Sequence, residues 1–345
     1  MKKILITFLV TAVLMASLFL FGTGYFLGGY VVQFGLQRGT ADNHQAPPRA
    51  YALIMPPSIT GYTKPDFPAE SWHIEAADGA SLAGTHFAPR GWSHRWAIIV
   101  HGYGCTQENA WYLASHYLHM GYHVVTPDLR GAGMSDGSFV TLGHDESRDI
   151  HLWAEKIAAE DPQAKIVLHG VSMGAATVML AAAGTDATRA TDEARAAEAG
   201  SRAGGSATSH PIGGALPPEV VAVVEDSGYT SAYDLIAWQL ESSFGLPSFP
   251  LLDIMNWRCE DLAGFSLKDA SPYAAVAQEK LPILFIHGTA DTLVPPEMAQ
   301  ILYDHAAAPK QILLVDGALH AVASQKDEAL YFQTLHDFLE PYMGK

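Results

Sequence analysis

The sequence predicts an α/β fold: a mostly parallel, twisted β-sheet flanked by helices, with a small helical cap and an N-terminal transmembrane helix. Three observations predict it. Short β-branched runs alternate with longer helical stretches from Trp72 onward, the pattern of parallel strands joined by crossover helices. Glycine or Asp-Gly follows most of those runs, which gathers polar residues at the strand carboxyl ends, where open α/β sheets bind ligands. One strand-to-helix junction carries Gly170-x-Ser172-x-Gly174.

At the N-terminus, no charged residue occurs between Lys3 and Arg38. Ile4 to Leu20 is apolar apart from Thr7, Thr11 and Ser17, and Tyr25 to Val32 continues the run past Gly22 and Gly24. A secretory signal has an apolar core of only about 7–15 residues, whereas about 20 suffice to span a bilayer. Residues 1–37 therefore read as an uncleaved signal-anchor. Lys2 and Lys3 favour a cytoplasmic N-terminus, with the rest of the chain extracytoplasmic on a single pass. The alternative is a secreted protein cleaved near Thr40-Ala41-Asp42. Residues 38–70, rich in Pro, Ala and polar residues, read as a linker, and 71–345 as the folded domain.

Within that domain, Trp72 to Ala76 and Ser81 to Phe87 flank Asp78-Gly79, a hairpin signal. The runs 96–100, 123–126, 166–168, 220–224, 283–286 and 311–315 then read as successive strands. Two interruptions stand out. Residues 184–218 are dominated by Ala, Gly, Ser and Thr, supply no core, and read as a flexible insertion. Residues 229–271 carry Trp238, Phe244, Phe249, Leu252, Met255 and Trp257, and suit either a cap over the active edge or a crossover helix with extra packing.

With 345 residues, 49% of them hydrophobic, the chain buries a large core. Its 36 acidic against 20 basic residues, a formal charge of −16, repel phosphates, and no basic stripe with interleaved aromatics appears, which argues against nucleic-acid binding. Cys105 and Cys259 form either one disulfide or two buried thiols. His116, His119 and His123 lie near one another without a carboxylate or cysteine cage, and no phosphate-binding glycine motif occurs. No metal or cofactor is expected.

The chemistry gathers around Ser172. A glycine-flanked turn between strand and helix lifts its hydroxyl clear of the sheet and sets the following amides at a helix N-terminus. A serine nucleophile needs a histidine base, and the histidine needs an acid to fix its tautomer. In this fold class they follow in the order Ser, acid, His. Asp291 lies just past the run 283–286, and His320 just past 311–315. Asp226, at the end of 220–224, competes as the acid. The oxyanion needs two donors. One is the amide of Met173. The other comes from His101-Gly-Tyr-Gly-Cys-Thr106, with Tyr103 the candidate, unless that loop is only a glycine-rich turn. His101, His169 and His287, beside glycines at strand ends, suit steric or hydrogen-bonding roles.

With these residues assembled, the chain resembles the α/β-hydrolases from Trp72 to the C-terminus. The resemblance rests on His101-Gly102, Asp128-Leu-Arg-Gly-Ala-Gly-Met-Ser-Asp-Gly137, Gly170-Val-Ser-Met-Gly174, His287-Gly-Thr-Ala-Asp291 with Val294-Pro295, and Gly317-Ala-Leu-His320. In detail it is most similar to bacterial membrane-anchored or exported serine hydrolases of the serine aminopeptidase and acylglycerol lipase branch. That resemblance implies Ser172 as nucleophile, Asp291 as acid, His320 as base, and amides of Tyr103 and Met173 as the oxyanion hole. It also implies a bacterial cell-membrane location. The insertion 184–218 departs from the family pattern. The expected partner is a small acyl ester. A peptidase or amidase, or a silent anchored binding module, are the alternatives, and the oligomeric state stays open.

Overall fold

The computed structural model describes residues 15, 22–38, 63–184 and 215–344. Eight strands form one sheet: β1 (Ala69–Glu75), β2 (Ser81–Phe87), β3 (Arg95–Val100), β4 (His123–Pro127), β5 (Lys165–Val171), β6 (Val220–Asp226), β7 (Ile283–Gly288) and β8 (Lys310–Val315). Their order is β1-β2-β4-β3-β5-β6-β7-β8. The pairs β1–β2 and β2–β4 are antiparallel, and the other five neighbouring pairs are parallel. Each run read as a strand overlaps one of these eight.

The central strands β3, β5, β6 and β7 are largely apolar and buried because both faces of the sheet are covered there. Alternation still sorts the residues between two cores. Trp96, Ile98 and Val100 of β3, Ile166 and Leu168 of β5, and Ile283 and Phe285 of β7 enter one cluster. Ala97, Ile99, Val167, Leu284 and Ile286 enter the other.

Ten α-helices accompany the sheet among the described residues. These are α1 (22–36), α2 (Trp111–His119), α3 (His144–Glu160), α4 (Met173–Ala182), α5 (Ala232–Phe244), α6 (Leu251–Ala263), α7 (Pro272–Val276), α8 (Pro296–His305), α9 (Ala323–Lys326) and α10 (Glu328–Met343). Local signals set several ends. The Ser231 side chain accepts from Asp234 N to start α5, and Gly245 closes it at φ 62°. The helices α5 and α6 are inserted between β6 and β7.

The N-terminal segment departs from expectation. Among the described residues no helix is long and apolar enough to cross a membrane, and most of the run Ile4–Leu20 lies outside them. The span predicted over 1–37 is therefore not supported. Residues 22–36, whose apolar stretch continues that run, pack one face against the body of the protein, while Phe26, Leu27 and Tyr30 stay exposed. Gly24 and Gly28, one turn apart, bring the α1 backbone onto α6, where an added Cβ would stand 2.9 and 3.1 Å from Ile254. Val32 and Leu36 join a third core with Tyr229, Leu252, Cys259 and Phe265. Most of the predicted linker and of the insertion 184–218 lies outside the described residues. No disulfide joins Cys105 to Cys259.

Candidate active site

Ser172 stands at the junction of β5 and α4 with φ 57° and ψ −118°. The turn is possible only because its neighbours lack side chains. A Cβ on Gly170 would lie 2.0 Å from the Gly174 carbonyl oxygen, and one on Gly174 would lie 2.2 Å from that of Val100. Ser172 N donates to the Asp226 carbonyl at 2.8 Å, tying the turn to β6.

Two residues from later loops meet this hydroxyl. His320 Nε2 is 2.8 Å from Ser172 Oγ, and His320 Nδ1 is 2.7 Å from Asp291 Oδ2. With Nδ1–H donated to the carboxylate, Nε2 is left to accept from the serine. Asp291 Oδ1 accepts from the amides of Leu293 and Val294 at 2.8 and 2.9 Å. His287 Nε2 stands 3.1 Å from Asp291 Oδ2. Burial opposes ionisation of Asp291, but hydrogen bonds from His287 and His320 outweigh it and hold the carboxyl below the usual carboxylate range.

The competing carboxylate is spoken for. Asp226 Oδ1 accepts from Ser227 Oγ at 2.8 Å and Oδ2 from the Tyr331 hydroxyl at 2.9 Å. Tyr331 in turn stands 3.2 Å from His169 Nε2, and Tyr117 3.0 Å from His169 Nδ1. Burial pushes His169 down to about 3, so it sits neutral in this line. Ser227 Oγ also accepts from Ala321 N at 3.2 Å, next to His320. Asp226 thus braces the histidine loop through Ser227. This support was missed in the sequence, where Ser227 has no distinguishing pattern and Tyr331 is 105 residues from Asp226.

The non-glycine residues described with positive φ are Leu142, Ser172, Ser227 and Ala321. Each is at the site or one contact from it. Leu142, Ser172 and Ala321 line the cavity described below, and Ser227 holds Ala321.

The loop after β3 runs beside the serine. A Cβ on Gly102 would stand 3.2 Å from Ser172 Cβ, a tight contact, so glycine lets this backbone come close to the serine. His101 secures the loop, with Nδ1 bonded to the Gly102 carbonyl at 2.8 Å and Nε2 accepting from Leu129 N at 3.0 Å. Met173 opens α4 and Tyr103 follows Gly102, so both amide donors expected from sequence lie beside Ser172 in the chain or in space. A cavity of about 690 Å³ opens onto Ser172, Tyr103, Met173 and His320. Its walls are largely apolar and include Leu235 and Leu240 of α5, Met255 of α6 and Val294. Unforeseen in the sequence, α1 supplies a further wall with Val32 and Leu36. Among the described residues no cluster of His, Cys, Asp and Glu could hold a metal ion.

The alpha/beta hydrolase family model matches residues 97–330. Two curated relatives are YqkD of Bacillus subtilis (strain 168), 25% identical over 77% of this chain and 78% of its own, and YfhR of Escherichia coli (strain K12), 26% identical over 79% and 80%. Among solved structures, the Pyrococcus furiosus esterase PF2001 superposes with a TM-score of 0.60 at 20% identity, covering 84% of this chain and 98% of that one. The Pyrococcus horikoshii acylaminoacyl peptidase superposes at 0.56 and 16% identity, covering 81% of this chain and 42% of that one. At such identities the structural likeness bears on the fold alone.

Proposed function

The chain belongs to the alpha/beta hydrolase family, and from that premise we propose that it is a serine hydrolase cleaving carboxylic esters through an acyl-enzyme. The observation that carries the reading is the hydrogen-bonded line Ser172–His320–Asp291, with contacts of 2.8 and 2.7 Å.

His320 Nε2 takes the Ser172 proton as Oγ attacks the ester carbonyl. The carbonyl π electrons move onto oxygen, and the amides of Tyr103 and Met173 hold the resulting oxyanion. Collapse of this intermediate breaks the carbon–oxygen bond to the alcohol, which leaves with the proton from His320. Water, deprotonated by the same nitrogen, then attacks the acyl group, and collapse returns the proton to Ser172 and releases the acid. Asp291, held ionised, keeps Nδ1–H facing it and stabilises the imidazolium that forms at each step. The largely apolar walls favour an acyl ester over a peptide, whose backbone would need several polar partners.

A fluorophosphonate probe should label the full-length protein, and Ser172→Ala should abolish the labelling. Folded wild-type protein that resists the probe would overturn the reading and favour a silent binding module.

A further inference from the structure

We propose that α1, the helix over 22–36, is part of the substrate site, and that it forms one wall of a channel for the hydrocarbon chain of a medium- or long-chain acyl ester. The proposal rests on the serine hydrolase reading for its substrate, but its geometry stands independently.

Five of the six positions from 31 to 36 bear on the cavity. Val31, Val32, Phe34, Gly35 and Leu36 all line it, opposite Leu235, Ile236 and Leu240 of α5. Polar groups are sparse on both sides, so what fills the space between them must be apolar.

The helix is also fastened at its C-terminal end. The last carbonyls of a helix lack partners within it, and here the protein supplies them. The Tyr103 hydroxyl donates to the Gly35 carbonyl, and Val140 N donates to that of Leu36 at 2.8 Å. Gln37 bridges to Phe139, Arg38 N donates to the Ser138 carbonyl at 2.9 Å, and the Arg38 guanidinium donates to the carbonyls of Gly133 and Ser135. A helix seated against the body only by apolar contact would show no such set of bonds.

The Tyr103 bond matters most, because the same residue's amide is proposed to hold the oxyanion. The acyl wall and the oxyanion loop are therefore joined through one side chain. An acyl chain that fills the channel presses on α1, and through Tyr103 that contact reaches the loop beside Ser172.

Gly35 offers a clean test. Gly35 lines the cavity, and a Cβ there would meet nothing within 4 Å, so the backbone need not move to accept a larger side chain. Glycine is also the poorer helix former, so the helix itself favours the change. In the full-length protein, Gly35→Leu should lower kcat/KM for p-nitrophenyl dodecanoate about tenfold or more beyond any change it makes for the acetate ester, since the methylenes that distinguish the two substrates each carry a sizeable factor in an apolar pocket. Val32→Ala, which removes bulk from the same wall, should move the preference toward longer or branched chains. Binding of the fluorescent fatty acid cis-parinarate, which needs no turnover, should weaken with Gly35→Leu by a similar factor. Active enzyme whose chain-length profile and parinarate affinity both ignore Gly35→Leu and Val32→Ala would overturn the proposal, as would wild-type protein that binds no parinarate. Protein that cleaves no ester, yet loses parinarate affinity with Gly35→Leu, would reject the hydrolase reading and leave the channel wall standing.

Discussion

On the Asp291 carboxylate converge two backbone amides, His320 and His287, all within 3.1 Å. The Asp226 carboxylate, one strand away in the sheet, is instead bonded to Ser227 and Tyr331. Only the first pairs directly with His320, the proposed base. Asp291→Asn should therefore lower kcat by about 10⁴-fold, the size expected when the acid partner of a catalytic histidine is lost. Asp226→Asn should keep most of the activity and show its effect as a lower melting temperature. Steady-state kinetics beside thermal melts on the two variants separates the roles, and the reverse pattern would reassign the acid. Both aspartates follow apolar runs, so strand position alone proposed both. What divides them is the direction of the side chain, and that is fixed by Tyr331 on α10 and by the tight turn 288–294, neither of which leaves a local pattern.

The junction of β5 and α4 is the element on which the site is mounted, and its tolerance is narrow. Gly170→Ala would drive a methyl into the Gly174 carbonyl, where 2.0 Å separates them, and should destabilise the protein by about 3 kcal/mol or more. Gly91→Ala, with nothing within 4 Å of the added Cβ, should change stability by less than about 0.5 kcal/mol. Denaturant titration of the pair is the measurement, and equal midpoints would show that the turn can relax. This junction was legible because three signals coincide: a β-branched run, a glycine–serine–glycine turn and an alanine-rich helix. The strands were legible for a related reason, since burial on both faces leaves short, nearly unbroken apolar runs. The packing of the helix over 22–36 was not legible, because hydropathy reports burial without naming the neighbour. Gly24 and Gly28 one turn apart, now seen against Ile254, were the available sign of close helix packing.

Over the whole molecule, buried carboxyls set how stability responds to pH. Burial pushes Glu225 up to about 8 and Glu279 up to about 7. An acid whose folded pKa is raised keeps its proton in the native state while the unfolded chain, near 4.3, releases it. Stability contributed by that difference falls as pH rises from about 4.3 to about 8. Asp291 acts in the opposite sense: its depressed pKa contributes stability above the ordinary aspartate value of about 3.9, and that is lost on further acidification. Melting temperature should therefore peak in mildly acidic buffer and decline toward pH 8, and Glu225→Gln should flatten the decline. Calorimetric scans from pH 4 to pH 9 on both proteins check this, and an unchanged slope in the variant would show that other groups carry it. One further property follows from the four non-glycine residues held at positive φ. Conformations of this kind cost on the order of 1–3 kcal/mol each, and here they cluster around Ser172, the proposed nucleophile. Heat resistance and turnover are thus opposed at the same peptide units. A library sorted only for survival at high temperature would be drawn to glycine at position 172, gaining a sturdier fold by discarding its proposed nucleophile.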